Sequence, residues 1–209
     1  MGLQYYEDLI QKIPRSEAEE LSKQVKAVAL PNSHVETCGS YRRGRAQCGD
    51  VDVLITPPPG LTDYEGILDT VIKRLKKSGF VKEQLGAYRL AGTGSATFMG
   101  VCCLGGKGSV NRRLDIKVYP REQYGYALLY FTGSAQFNRN MRTQALKYGF
   151  SLSDAGLKKM HAVKTGGEIE ATIYKSLNEL LKQKDTLVTE QMIMKAFGMK
   201  FHKPNERDV

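Results

Sequence analysis

Apolar residues recur at helical spacing in two segments of the first half of the chain. The first segment begins at residues 16–19, where Ser and Glu have the spacing of a capping box, and it predicts a helix of about 14 residues that ends near Leu30. Its apolar positions are Ala18, Leu21, Val25, Val28 and Ala29. The apolar positions of the second segment are Tyr64, Ile67, Leu68, Val71, Ile72 and Leu75. Gly79 ends this second helix, and we interpret the basic residues at 73–77 as its solvent-facing side.

Shorter runs of β-branched and apolar residues lie between and after these helices and predict strands. The runs are 35–38, 50–56, 96–104 and 112–119. The glycine-rich segment 105–108 separates the last two runs and predicts a hairpin loop. Helices that flank a mixed or antiparallel sheet make an α/β or α+β core, and we assign the α+β class.

The second half of the chain has a helical pattern from Glu122 onward. Ser134 has the side chain of an N-cap, and Gly149 ends the helix that this cap would start. Further helical stretches lie near 169–183 and 189–197. We place a boundary near Pro120, which predicts one domain at 1–120 and a smaller one at 121–209.

Composition indicates the class of partner. The chain has 31 Lys and Arg against 22 Asp and Glu, and its formal charge of +9 makes nucleic acid the leading candidate partner. The four cysteines have no zinc-ligand spacing and predict reduced thiols: Cys38, Cys48, Cys102 and Cys103. Because neither a signal segment nor an apolar membrane span is apparent, we expect an intracellular protein.

Two acids stand in one of the predicted strands. Asp50 and Asp52 are two residues apart, so a strand would direct both carboxylates to the same face. Such a pair repels itself unless a cation lies between the two groups, and Mg²⁺ prefers ligands that are all oxygen. The alternative interpretation of the pair is a solvent-exposed strand face.

A third acid, Asp115, alternates with apolar residues in another predicted strand. If this strand lies beside the first, Asp50, Asp52 and Asp115 converge on one face of the sheet. Three carboxylates can hold two metal ions, and two ions about 3.5 to 4 Å apart support in-line phosphoryl transfer. The sequence alone leaves the adjacency of the strands open.

A turn of small residues precedes the acid pair. Gly39 allows a ligand to approach the backbone closely, Ser40 offers a hydroxyl, and Arg43 can bind phosphate oxygens. A Gly-Ser turn alone is a weak signal. Here Gly49, Asp50 and Asp52 follow nine residues after the Gly-Ser pair, which is a much stronger signal because it would put a triphosphate site beside a metal site.

These motifs together resemble the nucleotidyltransferase superfamily, and within it the family X DNA polymerases. The similar segments are CGSYRRG at 38–44, CGDVDVLIT at 48–56, RRLDI at 112–116, LYFTGS at 129–134 and FNRNMR at 137–142. They span most of the chain in the order that the family has. The resemblance covers the palm and the nucleotide-selecting part only, without the family's lyase and helix-hairpin-helix domains, so we expect weak DNA binding.

The resemblance implies roles for residues of the first domain. Asp50, Asp52 and Asp115 would bind the catalytic Mg²⁺ or Mn²⁺ ions, and Asp115 would accept the proton of the primer hydroxyl. The residues that would hold the incoming triphosphate are Gly39, Ser40, Arg43 and Gly49. Arg113, beside Asp115, would contact DNA.

The resemblance also implies roles for residues of the second domain. Tyr130 and Phe131, before the helix break at Gly133, would pack against the sugar and exclude a 2′-hydroxyl. Asn138 would hydrogen-bond the minor-groove edge of the incoming base. Arg139 and Arg142, one helical turn apart, would approach the template strand.

The family implies a monomeric nuclear enzyme that fills gaps during DNA repair, with DNA and a deoxynucleoside triphosphate (dNTP) as partners. The reaction would be template-directed attack of a primer 3′-hydroxyl on the α-phosphate of the dNTP. One rival hypothesis is a template-independent nucleotidyltransferase. Another is a fragment that binds DNA ends without catalysis.

Overall fold

A mixed sheet forms the centre of the first part of the chain in the computed structural model, which describes residues 3–86, 89–90, 95–160, 168–183 and 186–208. The strands of this part are β1 (Ile13–Pro14), β2 (His34–Thr37), β3 (Gln47–Cys48), β4 (Val51–Thr56), β5 (Val81–Gln84), β6 (Arg89–Leu90), β7 (Ala96–Cys102) and β8 (Arg112–Val118). Its helices are α1 (Tyr6–Leu9), α2 (Arg15–Val28), α3 (Gly39–Arg42) and α4 (Tyr64–Lys77).

The sheet has the strand order β2-β4-β8-β7-β5, and β6 also pairs with β7. The central strands β4 and β8 run parallel, while the other neighbours in the sheet are antiparallel. The pairing of β7 with β8 confirms the hairpin that the glycine-rich segment predicted. A separate two-stranded pairing joins β1 to β3.

The apolar faces of α2 and α4 pack with the sheet into one core. Leu21 and Val25 from α2 and Leu68, Val71 and Ile72 from α4 are completely buried. They pack with the apolar residues of the strands, which bury Val53 and Ile55 of β4 and Leu114, Ile116 and Val118 of β8. The core therefore fixes β4 and β8, the two strands that carry the predicted acids.

Helices dominate the second part of the chain. They are α5 (Tyr124–Thr132), α6 (Ala135–Lys147), α7 (Glu168–Leu181) and α8 (Glu190–Ala196). An antiparallel hairpin of β9 (Phe150–Ser153) and β10 (Gly156–Lys159) follows α6. This part of the chain has its own hydrophobic core, in which Phe150, Leu177 and Ile193 are completely buried.

Two expectations about these elements need correction. The capping box at 16–19 is wrong, because α2 begins at Arg15 and its N-cap is Pro14, which makes no side-chain cap bond. The Arg15 backbone N–H instead donates to the carbonyl of Ala46 at 2.9 Å, so a tertiary contact satisfies the helix start. The helical interpretation from Glu122 onward was incomplete, because β9 and β10 form a hairpin there.

The chain divides into two compact units, Met1–Pro120 and Arg121–Val209. The α+β class with a mixed sheet flanked by helices is confirmed. All four cysteines are buried free thiols. Among the helices that the structure describes, none is both long and apolar enough to span a bilayer.

Candidate active site

The three predicted acids lie on or directly before the two central strands of the sheet in the first unit. Parallel pairing sets Asp52 of β4 directly opposite Asp115 of β8, and Asp50 lies immediately before β4. The Asp115 side chain is almost fully buried at 6% exposure, whereas Asp52 and Asp50 are 18% and 30% exposed. The neighbouring strands thus gather one buried and two partly exposed carboxylates.

Two cations bind these carboxylates. The Nη2 atom of Arg113 lies 3.0 Å from Oδ2 of Asp115 and 3.3 Å from Oδ2 of Asp50. The Nζ atom of Lys117 lies 2.6 Å from Oδ1 of Asp52 and 3.7 Å from Oδ2 of Asp115. Because opposite charges within about 4 Å favour the ionised forms, these contacts offset the repulsion among the three acids.

Asp50, Arg113 and Lys117 have shifted pKa values for reasons that the geometry explains. Burial and the nearby charge of Asp52 raise the pKa of the Asp50 carboxyl, against the opposing effect of Arg113. Burial lowers the pKa of the Lys117 amine, but the charges of Asp52 and Asp115 outweigh burial, and its pKa is raised overall. The hydrogen bond to Asp115 raises the pKa of the Arg113 guanidinium. Both basic groups therefore remain cations at neutral pH.

The segment that joins β2 to β3, residues 38–46, packs against this cluster, and we call it the cradle loop. The Cys38 backbone N–H donates to the carbonyl of Asp52 at 2.8 Å. Gly39 has a φ of +60°, and a Cβ atom there would lie 3.2 Å from Oδ2 of Asp52. Glycine is needed at this position because its backbone is left-handed and touches the acid.

Three other predicted phosphate contacts lie on or after this loop. Ser40 is in α3, and its carbonyl accepts the backbone N–H of Arg45 at 3.1 Å. Arg43 caps the C-terminal end of α3, with its backbone N–H on the carbonyl of Gly39. Gly49 lies just before Asp50, and a Cβ atom there would approach Nζ of Lys12 at 3.9 Å. The backbone thus brings Gly39 against Asp52 and Gly49 directly before Asp50.

The donor set of the cluster is of the type that a hard divalent cation takes. All three acids offer carboxylate oxygens, which suit Mg²⁺. Across the described residues, however, no group of three or more His, Cys, Asp and Glu side chains is arranged to hold a metal ion. The three carboxylates bind Arg113 and Lys117, so the assignment of metal ligands stays a prediction.

The predicted sugar-selecting residues lie at the end of α5 in the second unit. The rings of Tyr130 and Phe131 form an edge-to-face pair with centroids 5.2 Å apart, and Tyr130 is 39% exposed. Gly133 follows α5 with a φ of +70°, which ends the helix. The Asn138 amide donates to the carbonyl of Tyr130 at 2.7 Å, so α6 and the end of α5 are joined at this point.

Helix α6 brings the remaining predicted residues of the second unit to its surface. Ser134 caps the helix, because its hydroxyl accepts the N–H of Phe137 at 3.3 Å, and the predicted N-cap is confirmed. The guanidinium of Arg142 lies 5.9 Å from the centroid of the Tyr130 ring. Arg139 instead donates to the side-chain oxygen of Gln136 at 2.6 Å. The structure therefore groups Tyr130, Asn138 and Arg142 and leaves Arg139 outside that group.

Sequence reasoning gave Lys117 no role in the acid cluster, whereas the structure pairs it with Asp52 and Asp115. The signal was present, because residues that alternate along a strand share a face, and Lys117 stands two positions after Asp115. Its partner Asp52 lies on another strand, however, and only the β4 and β8 pairing brings the two together. The pairing was an open question at the level of sequence.

Models of known domain families match both units. Residues 12–121 match the palm of DNA polymerase beta, and residues 127–208 match its thumb. The chain belongs to this polymerase family. The resemblance to the family X DNA polymerases is thereby confirmed, and it extends over nearly the whole chain.

Curated relatives of this family X chain carry polymerase and transferase names. It is 38% identical over 217 aligned residues to DNA polymerase lambda of Rattus norvegicus and 35% identical over 217 to that of Arabidopsis thaliana. These alignments cover 100% of this chain but 35% and 39% of the relatives, so the chain spans little more than a third of their length. It is also 32% identical over 172 residues to the DNA nucleotidylexotransferase of Homo sapiens, in an alignment that covers 69% of this chain and 34% of that relative.

Proposed function

We propose that this protein is a DNA-directed DNA polymerase of the gap-filling repair type. The primer 3′-hydroxyl attacks the α-phosphate of a dNTP, and pyrophosphate leaves. The observation that carries the proposal is the position of Asp52 directly opposite Asp115, with Gly39 of the cradle loop against Asp52. An acid cluster beside a phosphate-binding loop is the arrangement that nucleotidyl transfer needs.

Each residue of the first unit has a role in this proposal. Asp50, Asp52 and Asp115 hold Mg²⁺, or Mn²⁺ in its place. A metal held by these carboxylates would neutralise charge at the α-phosphate and lower the pKa of the attacking hydroxyl. Asp115, the most buried of the acids, accepts the proton of the primer hydroxyl.

The triphosphate is held by the cradle loop and the residues beside it. Ser40 offers its hydroxyl and Arg43 its guanidinium to phosphate oxygens, which favour charge-assisted hydrogen bonds. Gly39 and Gly49 have no side chain, so the phosphates can approach the backbone. Arg113 is 42% exposed beside Asp115, and it contacts the primer strand near its 3′ end.

The second unit selects the nucleotide. Tyr130 and Phe131 exclude a ribose 2′-hydroxyl, and Gly133 ends α5 so that the backbone beside the two rings stays open. Asn138 of α6 donates to the carbonyl of Tyr130 at the end of α5, and it also hydrogen-bonds the minor-groove edge of the incoming base. Arg139 and Arg142 approach the template phosphates from the surface of α6.

The formal charge of +9 supports DNA as the macromolecular partner. We propose that the protein acts as a monomer and, as a repair polymerase, in the nucleus. The relatives named DNA polymerase lambda support the polymerase assignment.

Primer extension tests this function. The purified protein, a labelled primer on a gapped template and Mg²⁺ are incubated with each of the four dNTPs in turn, on four templates that differ only at the first unpaired base. We expect extension only with the complementary dNTP, and chelation of Mg²⁺ by EDTA should stop it. Failure to extend the primer on all four templates would support the DNA-end-binding fragment and overturn the proposal.

A second candidate is a template-independent nucleotidyltransferase. The similarity to the human DNA nucleotidylexotransferase favours it. The same assay separates the two candidates, because a template-independent enzyme would add every dNTP whatever the template base and would also extend a single-stranded primer.

A further inference from the structure

Arg15 contacts the cradle loop at several points from outside it. Its Nη1 atom donates to the carbonyl of Tyr41 at 2.6 Å and to that of Arg45 at 3.4 Å. Its guanidinium carbon lies 4.1 Å from the centroid of the Tyr41 ring, which is the geometry of a cation–π contact. The backbone N–H of the same residue donates to the carbonyl of Ala46 at 2.9 Å.

The element that carries Arg15 is firmly anchored. Arg15 is the first residue of α2, and Ala18 and Leu21 on the next turns are completely buried in the core. The residue before it, Pro14, pairs with Gln47 in the β1 and β3 ladder directly after the loop. Arg15 therefore connects a fixed helix to a loop whose exit is held by the same part of the chain.

The cradle loop has little internal structure to hold its shape. Its helix, α3, has four residues, and a single helical turn is unstable on its own because nucleation costs more than its few hydrogen bonds return. Its internal backbone bonds run from Arg42 to Cys38, from Arg43 to Gly39, from Gly44 to Tyr41 and from Arg45 to Ser40, at 3.2, 3.3, 3.0 and 3.1 Å. A contact from outside the loop on the carbonyl and ring of Tyr41 therefore adds to the few bonds that hold this turn.

Tyr41, which Arg15 contacts through its carbonyl and its ring, lies between Ser40 and Arg43, two of the predicted triphosphate ligands. We propose that Arg15 is a positioning residue for the triphosphate: it fixes the Tyr41 carbonyl and ring, and through them the Ser40 hydroxyl and the Arg43 guanidinium. This inference rests on the proposed function. A planar guanidinium is required, because it donates to carbonyls and stacks on a ring at the same time, whereas the amine of lysine is a point charge.

The test compares Arg15→Met and Arg15→Lys with a matched control, Arg74→Met. Arg74 also donates to a backbone carbonyl, that of Val28 at 2.8 Å, but at the opposite end of α2, about 20 Å away by the rise of a helix. In primer extension we expect Arg15→Met to raise KM for the dNTP about tenfold, because the loss of one charge-assisted hydrogen bond weakens binding by about that factor. The value of kcat, the DNA affinity and every constant of Arg74→Met should stay within about twofold of the unmodified protein.

A direct titration with dATP and Mg²⁺ supplies a readout besides activity. Arg15→Met should weaken dATP binding by the same factor as it raises KM. If Arg15 acts through the loop, its effect should nearly vanish when Ser40→Ala and Arg43→Ala are already present, because contacts that act as one unit are not additive. A purely structural role would give the same effect with and without those two changes.

The outcomes separate this inference from the function on which it rests. If the unmodified protein extends primers but Arg15→Met leaves KM and dATP binding unchanged, the inference fails and the proposed function stands. If the unmodified protein neither extends primers nor binds dATP, both fail. Should circular dichroism show that Arg15→Met is unfolded, Arg15→Lys decides: a KM raised about threefold supports the inference, and an unchanged KM overturns it.

Discussion

Each unit buries a cluster of charges, and the two clusters differ in how completely they are balanced. In the first unit, Asp50, Asp52 and Asp115 bind two cations, Arg113 and Lys117. In the second unit, Arg207 is fully buried and its Nη1 atom lies 2.5 Å from a carboxylate oxygen of Glu190, which is 4% exposed. The first cluster has one acid more than it has cations, and the second is matched one to one.

Each guanidinium nitrogen of Arg207 in the balanced cluster makes a hydrogen bond. The Nε and Nη2 atoms of Arg207 donate to the carbonyl of His202 at 3.0 and 2.8 Å. The Phe137 ring lies 5.2 Å from its guanidinium. A buried charge with a partner at each nitrogen contributes to the fold, whereas we propose that the excess carboxylate of the first cluster leaves it able to bind a ligand cation. We therefore propose that the imbalance of charge, rather than burial itself, distinguishes the candidate site from the structural ion pair.

Removal of one partner should have its largest effect in the balanced cluster. Arg207→Met leaves the Glu190 carboxylate buried without its cation, and we expect the free energy of unfolding to fall by about 3 kcal/mol. Urea denaturation followed by circular dichroism measures the change. Arg139→Met, which removes an exposed arginine of α6 bound to Gln136, is the control and should cost about 0.5 kcal/mol or less. Equal stabilities of the two variants would show that the pair does not support the fold.

Removal of one acid from the unbalanced cluster should affect activity and spare the fold. Asp115→Asn takes away the proposed proton acceptor and one negative charge, and we expect nucleotide addition to fall by at least about 100-fold. Stability should hardly change, because crowded acids repel one another. Asp69→Asn, on the surface of α4 where Asp69 pairs with Lys73, should extend primers like the unmodified protein. Full activity of Asp115→Asn would remove Asp115 from the mechanism.

The exposed aromatic pair of the second unit should affect selectivity more than rate. Tyr130→Ala opens space at the end of α5, and we expect the use of ribonucleotides relative to deoxyribonucleotides to rise about tenfold. The ratio of kcat/KM for a ribonucleotide and its deoxy form measures this. Tyr6→Ala, which shortens an exposed tyrosine of α1, should leave the ratio unchanged. If Tyr130→Ala also leaves it unchanged, other atoms exclude the 2′-hydroxyl.

The smallest predicted effect compares two serines that both looked like helix caps. Ser134→Ala removes the acceptor for the N–H of Phe137 and should lower the free energy of unfolding by about 1 kcal/mol. Ser16→Ala should have no measurable effect, since α2 begins before Ser16. Thermal unfolding of both variants distinguishes them, and a larger loss for Ser16→Ala would show that the helix start is assigned incorrectly.

These two serines illustrate what the sequence can predict. Ser134 follows Gly133, and a glycine that ends one helix leaves the next residue free to start another from its own side chain. At Ser16 the start of α2 depends on the cradle loop, because the Arg15 N–H binds the carbonyl of Ala46. Local chemistry therefore predicted one cap, and a long-range contact overrode the other.

The candidate site was predictable to the same extent. The acids and the Gly-Ser turn belong to short segments whose residue types carry their chemistry, so Asp50, Asp52 and Gly39 could be found by inspection. The ion pair of Lys117 with Asp52 and that of Arg207 with Glu190 join distant segments. No local pattern encodes such a pair, since either partner alone resembles a surface charge.

The parallel pairing of β4 with β8 has a consequence for folding. Helix α4 and the strands β5, β6 and β7 lie between these two strands along the chain, so the candidate site cannot form until that whole stretch has been arranged. Contacts so distant in sequence form slowly, because closing the long stretch between the two strands costs conformational entropy before their pairing contributes any stabilisation. Lys117 arrives on the same strand as Asp115 and brings positive charge to Asp52 as the strands meet. The charge of Lys117 thus reduces the repulsion between Asp52 and Asp115 that the pairing of the two strands would otherwise create.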